Sequence, residues 1–432
     1  MPKLNSVNLI TLGCAKNTVD SEHLLYQLKK NGYQVFHESK VHRPVTIINT
    51  CGFINDAKQE SVETILNLIE AKKQGSIDIL IVMGCLTQRY KKELKEELPE
   101  VDYFFGVEEQ KDIVKTLNGK YDENKYYKRT LSTPKHYAYL KIAEGCNRKC
   151  SFCSIPLIRG NYKSTPIEKI KKELNYLLQQ GVKEINLIAQ DLSYYGYDIY
   201  KEYLLPELVE ELSKMNPYWL RLLYTFPANF PYGILPVMKY NENVCNYIDI
   251  PVQHISDAVL KNMRRGITKA NTIKLLENIR KEIPDVTLRT TLMVGHPGET
   301  ENDFLQLLNF VKDFKFDRLG VFTYSEEEGT YSARNFEDEI PESVKNERAE
   351  EIMTIQREIS AARNQEKVGK TMKIVIDSDD QDYYYGRTER DAPEVDNEVL
   401  VPKKRNPKLK QGNFYDAVII EASDYDLTAT IK

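Results

Sequence analysis

Glu144 to Gly160 reads EGCNRKCSFCSIPLIRG, and within it Cys146, Cys150 and Cys153 form a Cys-x3-Cys-x2-Cys loop directly after an apolar strand, Tyr139 to Ala143. Three soft thiolates so close together select an iron-sulfur cluster or zinc. A structural zinc wants four ligands, usually as Cys-x2-Cys pairs, and no further Cys or His lies near enough in sequence to supply the fourth. A 4Fe-4S cluster on three protein thiolates keeps one iron open. That iron can take the amino and carboxylate groups of S-adenosylmethionine (SAM), whose reduced sulfonium then releases a 5'-deoxyadenosyl radical.

Downstream of the loop the sequence repeats one rhythm. Apolar strands centred on Leu140, Asn186, Leu222, Ile248, Leu292 and Val321 are nearly all followed by helical patterns. Six such units predict a partial barrel, open where a complete one would close. Polar residues at the carboxyl ends of its strands should line a SAM pocket: Gln190 with Asp191, Gln253 with His254, Arg289, Gly295 to Glu299, and Tyr324 with Ser325. Gln190, Gln253 and Arg289 are the leading candidates, although each is open to the alternative of an ordinary strand-end residue. His254 is a candidate acid or base, but a lone histidine is more often hydrogen-bonded structure.

Upstream, residues 1–125 alternate strands (Val7 to Leu12, Pro44 to Asn49, Ile77 to Met83) with amphipathic helices (Ser21 to Lys30, Asp56 to Lys72). That is the pattern of a doubly wound parallel sheet. Cys14, Cys51 and Cys85 each follow one of these strands with a glycine alongside. Strand ends of a parallel sheet face one crevice, so the three thiols can converge on a second cluster. The alternative for each is a small buried hydrophobe. Cys245 has no partner and reads as structural. Pro341 starts a long helix with Ile352, Ile355, Ile359 and Ala362 at helical spacing, a connector running to Gly369. Four short β runs then follow: Met372 to Ile376, Tyr383 to Arg387, Glu398 to Val401 and Tyr415 to Glu421. They predict a small all-β barrel. The expected architecture is thus α/β, divided at 1–125, 132–366 and 367–432.

Composition narrows the setting. Of 432 residues, 41% are apolar, ample for several cores, and 60 basic against 64 acidic residues give a net charge of −4. No global charge favours nucleic acid. Seven cysteines in a chain without a leader-like start suggest metal or catalytic thiolates rather than disulfides. No apolar run approaches the length of a membrane span. A cytoplasmic protein without membrane association is expected.

The order of a three-cysteine α/β domain, a Cys-x3-Cys-x2-Cys barrel and a terminal β-barrel resembles the radical SAM methylthiotransferases over essentially the full chain. LGCAKN (Leu12 to Asn17), the Glu144 to Gly160 stretch, IAQDLSYYGYD (Ile188 to Asp198) and YIDIPVQHISD (Tyr247 to Asp257) look like the branch acting on an aspartate of ribosomal protein S-twelve. VGHPGET (Val294 to Thr300) and FTYSEEEGT (Phe322 to Thr330) fit the same branch. The resemblance implies two 4Fe-4S clusters, an auxiliary one on Cys14, Cys51 and Cys85 and the radical SAM one on Cys146, Cys150 and Cys153. It also implies a TRAM-like terminal barrel, an electron donor, and the small ribosomal subunit or its protein S-twelve as partner.

Placing sulfur on an unactivated C–H bond is beyond acid-base catalysis, whereas a carbon radical can remove the hydrogen atom. In the implied reaction a methylthio group joins the aspartate β-carbon. One alternative is the transfer-RNA adenosine branch (MiaB-like). The terminal segment from Lys367 carries 11 basic and 13 acidic residues, a poor footprint for phosphate binding despite the basic stretch Lys403 to Lys410. Nucleic acid is therefore not the expected substrate. The other alternative is a non-catalytic iron-sulfur or zinc module docking on the ribosome.

Overall fold

The computed structural model describes residues 5–406 and 408–432. Five parallel strands open the chain: β1 (Ser6–Thr11), β2 (Gln34–His37), β3 (Val45–Thr50), β4 (Ile79–Gly84) and β5 (Tyr103–Phe105). They lie in the order β2-β1-β3-β4-β5. Alternation along the strands feeds two cores. Ile47, Ile81 and Met83 face the layer holding α1 (Ala15–Lys30), while Ile48, Leu80 and Val82 face α2 (Asn55–Lys73) and α3 (Cys85–Glu97). Strand order reverses between β1 and β3, so the crevice beyond their carboxyl ends is the place where a doubly wound sheet holds a ligand.

The second sheet is the expected six-stranded open barrel. Its strands are β6 (Tyr137–Lys141), β9 (Glu184–Ile188), β10 (Trp219–Leu222), β11 (Val244–Asp249), β12 (Thr287–Val294) and β13 (Arg318–Thr323), adjacent in that order, with every assigned pair parallel. Between the first two runs a two-stranded ribbon, β7 (Ala143–Glu144) and β8 (Lys163–Ser164), closes the base of the cysteine loop. Outer helices bury stripes at helical spacing, such as Ile170, Leu174 and Leu177 on the helix Ile167–Gln179. Each such side chain removed from water contributes roughly 1.5–3 kcal/mol.

The long helix spans Glu342–Gln365 and is more than the connector its sequence suggested. Ile352 and Ile359 enter the barrel's core, and Gln356 Nε2 donates to Phe316 O at 3.0 Å. The terminal unit is a closed barrel of five strands: β14 (Thr371–Asp379), β15 (Tyr383–Thr388), β16 (Val399–Pro402), β17 (Phe414–Ala422) and β18 (Leu427–Ile431). Strand β18 is absent from the sequence reading. Its LTATI buries only Leu427 and Ala429, too short an apolar alternation to stand out before β17 and β16 are seen to pair with it.

The loop between β15 and β16 reaches inside the parallel barrel. Tyr137 and Tyr139 donate to the two oxygens of Glu394 at 2.8 and 2.9 Å, and Tyr247 donates to Asp396 at 2.6 Å. Glu184, fully buried on β9, pairs with Arg221 at 3.1 Å and with Arg387 of the terminal barrel at 2.8 Å. The lumen is thereby filled from below by charged groups in mutual contact. Buried charges require such pairing.

Candidate functional site

The cysteine loop is held by backbone bonds on every side. Cys146 N donates to Gly160 O at 3.1 Å, Ser151 N to Met263 O at 3.0 Å, and Ser332 N to Ser151 O at 2.7 Å. Gly145 takes φ +71, and a Cβ there would stand 2.2 Å from Asn161 O, so only glycine lets the chain turn into the loop. Arg148 Nε binds Asp191 at 2.7 Å. Its guanidinium lies 4.1 Å over Phe226, and Arg265 lies at the same distance from that ring.

Burial pushes the Cys146 thiol up to about 12, with Cys153 raised further. Such thiols ionise when cations share the site. Two N–H groups are aimed at the sulfurs: Arg148 N at Cys146 Sγ (3.4 Å) and Arg265 Nη1 at Cys150 Sγ (3.2 Å). An all-sulfur donor set receiving N–H bonds fits an iron-sulfur cluster.

The first triad is assembled by the other sheet. Cys14 lies just beyond β1, Cys51 follows β3 and Cys85 begins α3. Gly13 at φ +93 brings the β1 end so close to Cys51 that a Cβ would meet Cys51 Cβ at 2.8 Å. Asn17 ties the strand ends together, its Nδ2 donating to Leu12 O at 2.8 Å and Thr50 O at 3.2 Å. Ser61 Oγ accepts from Cys51 N and donates to Cys51 O. Burial raises the Cys85 thiol to about 12, whereas Cys14 is exposed, so the triad opens on that side. Cys245 is buried among Tyr247, Trp219 and Val375, as a structural cysteine should be.

A cavity of about 580 Å³ is walled by residues of the first domain and of the barrel. Phe53, two residues past Cys51, and Phe152, inside the barrel's cysteine loop, both line it. Gln253, Thr291, Met293, Tyr324 and Ser325 supply the barrel wall. Ser325 Oγ and Glu327 Oε1 are buried there without a protein partner, which fits a polar ligand such as SAM.

The candidates from sequence therefore divide. Gln253, Tyr324 and Ser325 reach the cavity, while Gln190 does not line it. Asp191 acts one step away, by holding Arg148. Arg289 pairs with Asp249 at 3.1 Å and with Asp396 of the terminal barrel at 3.4 Å, and it does not line this cavity. His254 is fully buried, accepts from Ser256 N through Nδ1, and is pushed down by burial to about 3. It is a neutral structural group. His296 packs edge-on against Phe152, Tyr324 and Phe336 while its Nδ1–H donates to Pro297 O.

Three residues escaped the sequence reading. Thr291 and Met293 share Arg289's face of β12 at period two, a signal available once that strand was placed. Arg159, at the end of the quoted loop, is buried against the first triad: its Nη2 donates to Asn17 Oδ1 at 2.6 Å and to Cys85 Sγ at 3.5 Å. No periodicity announces that contact.

Lys58 and Arg89 of the first domain both bind Glu327 of the barrel, at 3.1 and 2.6 Å, fastening the two halves beside the cavity. Among the described residues no helix is long and apolar enough to cross a membrane.

Comparison with known proteins assigns all three parts. Residues 6–106 match the uncharacterized protein family UPF0004, residues 140–311 the radical SAM superfamily, and residues 368–431 the TRAM domain. Among solved structures, the radical SAM methyltransferase TsrM from Kitasatospora setae shares the fold at TM-score 0.57 and 14% identity, covering 76% of this chain and 77% of that one. The cobalamin-dependent radical enzyme OxsB does so at TM-score 0.52 and 14% identity, over 82% of this chain and 56% of that one. Full-length relatives are much nearer. The ribosomal protein uS12 methylthiotransferase RimO of Bacteroides fragilis is 52% identical over 99% of this chain and 100% of its own. That of Porphyromonas gingivalis (strain ATCC 33277) is 52% identical over 99% of both. With half of all positions shared from end to end, and with the UPF0004, radical SAM and TRAM parts in one order, this chain belongs to the RimO family of ribosomal protein uS12 methylthiotransferases.

Proposed function

We infer that this chain is a cytoplasmic radical SAM methylthiotransferase that places a methylthio group on the β-carbon of an aspartate of ribosomal protein uS12. In this reading Cys146, Cys150 and Cys153 hold the cluster that binds SAM, and Cys14, Cys51 and Cys85 hold the auxiliary cluster. The division at 1–125, 132–366 and 367–432 assigns one task to each part. The carrying observation is the shared cavity, walled by Phe53 from the first triad's loop and Phe152 from the second's. Clusters held by Cys14, Cys51 and Cys85 and by Cys146, Cys150 and Cys153, with SAM, would supply radical and sulfur-transfer chemistry.

The chain's own residues position and shield this chemistry. The Arg265 guanidinium offsets anionic charge at the barrel triad, and the backbone N–H of Arg148 adds a second donor to sulfur. Phe53, Phe152, Met293 and Phe322 give the cavity apolar walls that limit water around a reactive radical. Ser325 and Gln253 offer polar contacts for SAM. The Glu327 ion pairs hold the domains together, fixing the distance over which sulfur must travel.

The test is mass spectrometry of ribosomal proteins and transfer RNA from a strain lacking this gene. Loss of the methylthio group from uS12 alone supports the assignment; loss from transfer-RNA adenosine with uS12 unchanged contradicts it.

A further inference from the structure

Arg159 belongs to the barrel by sequence and to the first domain by contact. It ends the short helix Ile155–Arg159, six residues beyond Cys153, yet its guanidinium points at the other triad. Nη1 donates to Asp20 Oδ2 at 3.1 Å and to Glu144 Oε1 at 2.9 Å. Nη2 donates to Asn17 Oδ1 at 2.6 Å and to Cys85 Sγ at 3.5 Å. The side chain is 1% exposed. Lys141 shares both carboxylates, so two cations and two anions close a neutral buried network.

This arrangement does more than satisfy a buried charge. Asp20 and Glu144 would suffice for that. Asn17 is itself locked by Leu12 O and Thr50 O, so its Oδ1 is fixed in place as the acceptor that orients Nη2 beside the cysteine sulfur. An N–H bond to a ligand sulfur, backed by a fixed positive charge, stabilises the more negative reduced state of an iron-sulfur cluster and raises its potential. The donor comes from the loop that carries the other triad. The bond therefore exists only while the first domain is seated on the barrel.

We propose that Arg159 is a positioning residue that raises the reduction potential of the auxiliary cluster through its bond to Cys85, and that it makes this potential depend on docking of the two domains. The proposal rests on the assignment of Cys14, Cys51 and Cys85 to that cluster. It is tested in full-length protein with Cys146, Cys150 and Cys153 changed to Ala, which leaves the auxiliary site alone. Two variants are added to this parent. Arg159→Lys keeps the charge and loses the forked geometry. Arg159→Gln with Asp20→Asn removes the charge while leaving Lys141 and Glu144 as a neutral pair, which protects folding.

Each protein is reconstituted anaerobically, its iron counted, and its cluster titrated by electron paramagnetic resonance against redox potential. The expected result is an equal iron content in all three, with the midpoint displaced to more negative potential in both variants and further in the neutral one. Equal iron with an unchanged midpoint and spectrum would overturn the role given to Arg159. A parent that binds no iron would overturn the cluster assignment and the proposal together.

Discussion

At the scale of single residues, the six cysteines proposed as cluster ligands stand out in the sequence because thiol chemistry and spacing both speak through it. The barrel triad is contiguous and names itself. The first triad is scattered, and only its placement after β1, β3 and β4 brings it together. Residues that act through another side chain were not legible, since Arg159 looks like any loop arginine until the first domain is packed against it. The same holds for Arg289, whose partner Asp396 lies in a different part of the chain. The triads should separate functionally. Replacing Cys146, Cys150 and Cys153 by Ala should halve the iron of the reconstituted protein and abolish 5'-deoxyadenosine formation. Replacing Cys14, Cys51 and Cys85 should also halve the iron but leave deoxyadenosine formation largely intact, while methylthio transfer stops. A folded auxiliary variant that had lost both activities would contradict this division.

His254 gives a pH test. Its pKa in the folded chain, about 3, lies below the unfolded value, so the unfolded chain takes the proton first as pH falls. Its contribution to stability is complete above about pH 6.5 and is lost progressively toward pH 3. His254→Asn keeps an acceptor for Ser256 N and does not titrate. Between about pH 6 and pH 5, stability of the wild type relative to this variant should fall by roughly 1.2 kcal/mol. Urea unfolding of both proteins at each pH reads the difference, and a constant difference would show that His254 is not held neutral.

Elements were read well wherever one periodicity held. The six barrel strands and the helices between them carry continuous apolar patterns, so the open barrel followed from sequence. The helix Glu342–Gln365 was found but misjudged, because its buried residues are spaced along a largely charged surface and periodicity does not say what they pack against. Its role predicts a cost. Ile352 is fully buried in the barrel core, so Ile352→Ala should destabilise the protein by about 2–5 kcal/mol. A mere connector would lose under about 0.5 kcal/mol, the usual range for a surface change. Denaturant unfolding followed by circular dichroism separates the two. Strand β18 was missed for the opposite reason: its neighbours, not its own sequence, make it a strand.

For the whole molecule, the three parts are interlocked rather than strung together. Part of the acidic charge of the terminal barrel turns inward, with Glu394 and Asp396 bound to barrel residues. A chain cut after Glu366 would leave Glu184 and Arg221 without Arg387 and would open the lumen. Breaking a buried ionic network from one side costs about 3–5 kcal/mol. The truncated chain should therefore be recovered largely unfolded, judged by circular dichroism and by failure to bind iron, whereas an appended docking module would leave both intact. The linkage between the first domain and the barrel through Glu327 and Arg159 serves the chemistry in turn, since radical and sulfur must meet at one carbon. The most direct measurement is the mass of purified ribosomal protein uS12 after anaerobic incubation with the reconstituted enzyme, SAM, a reductant and sulfide, with transfer RNA incubated in parallel. The account predicts a gain of about 46 Da on one aspartate of uS12, the replacement of hydrogen by SCH3, and unmodified transfer RNA. An unchanged uS12 beside methylthiolated adenosine in the transfer RNA would contradict it.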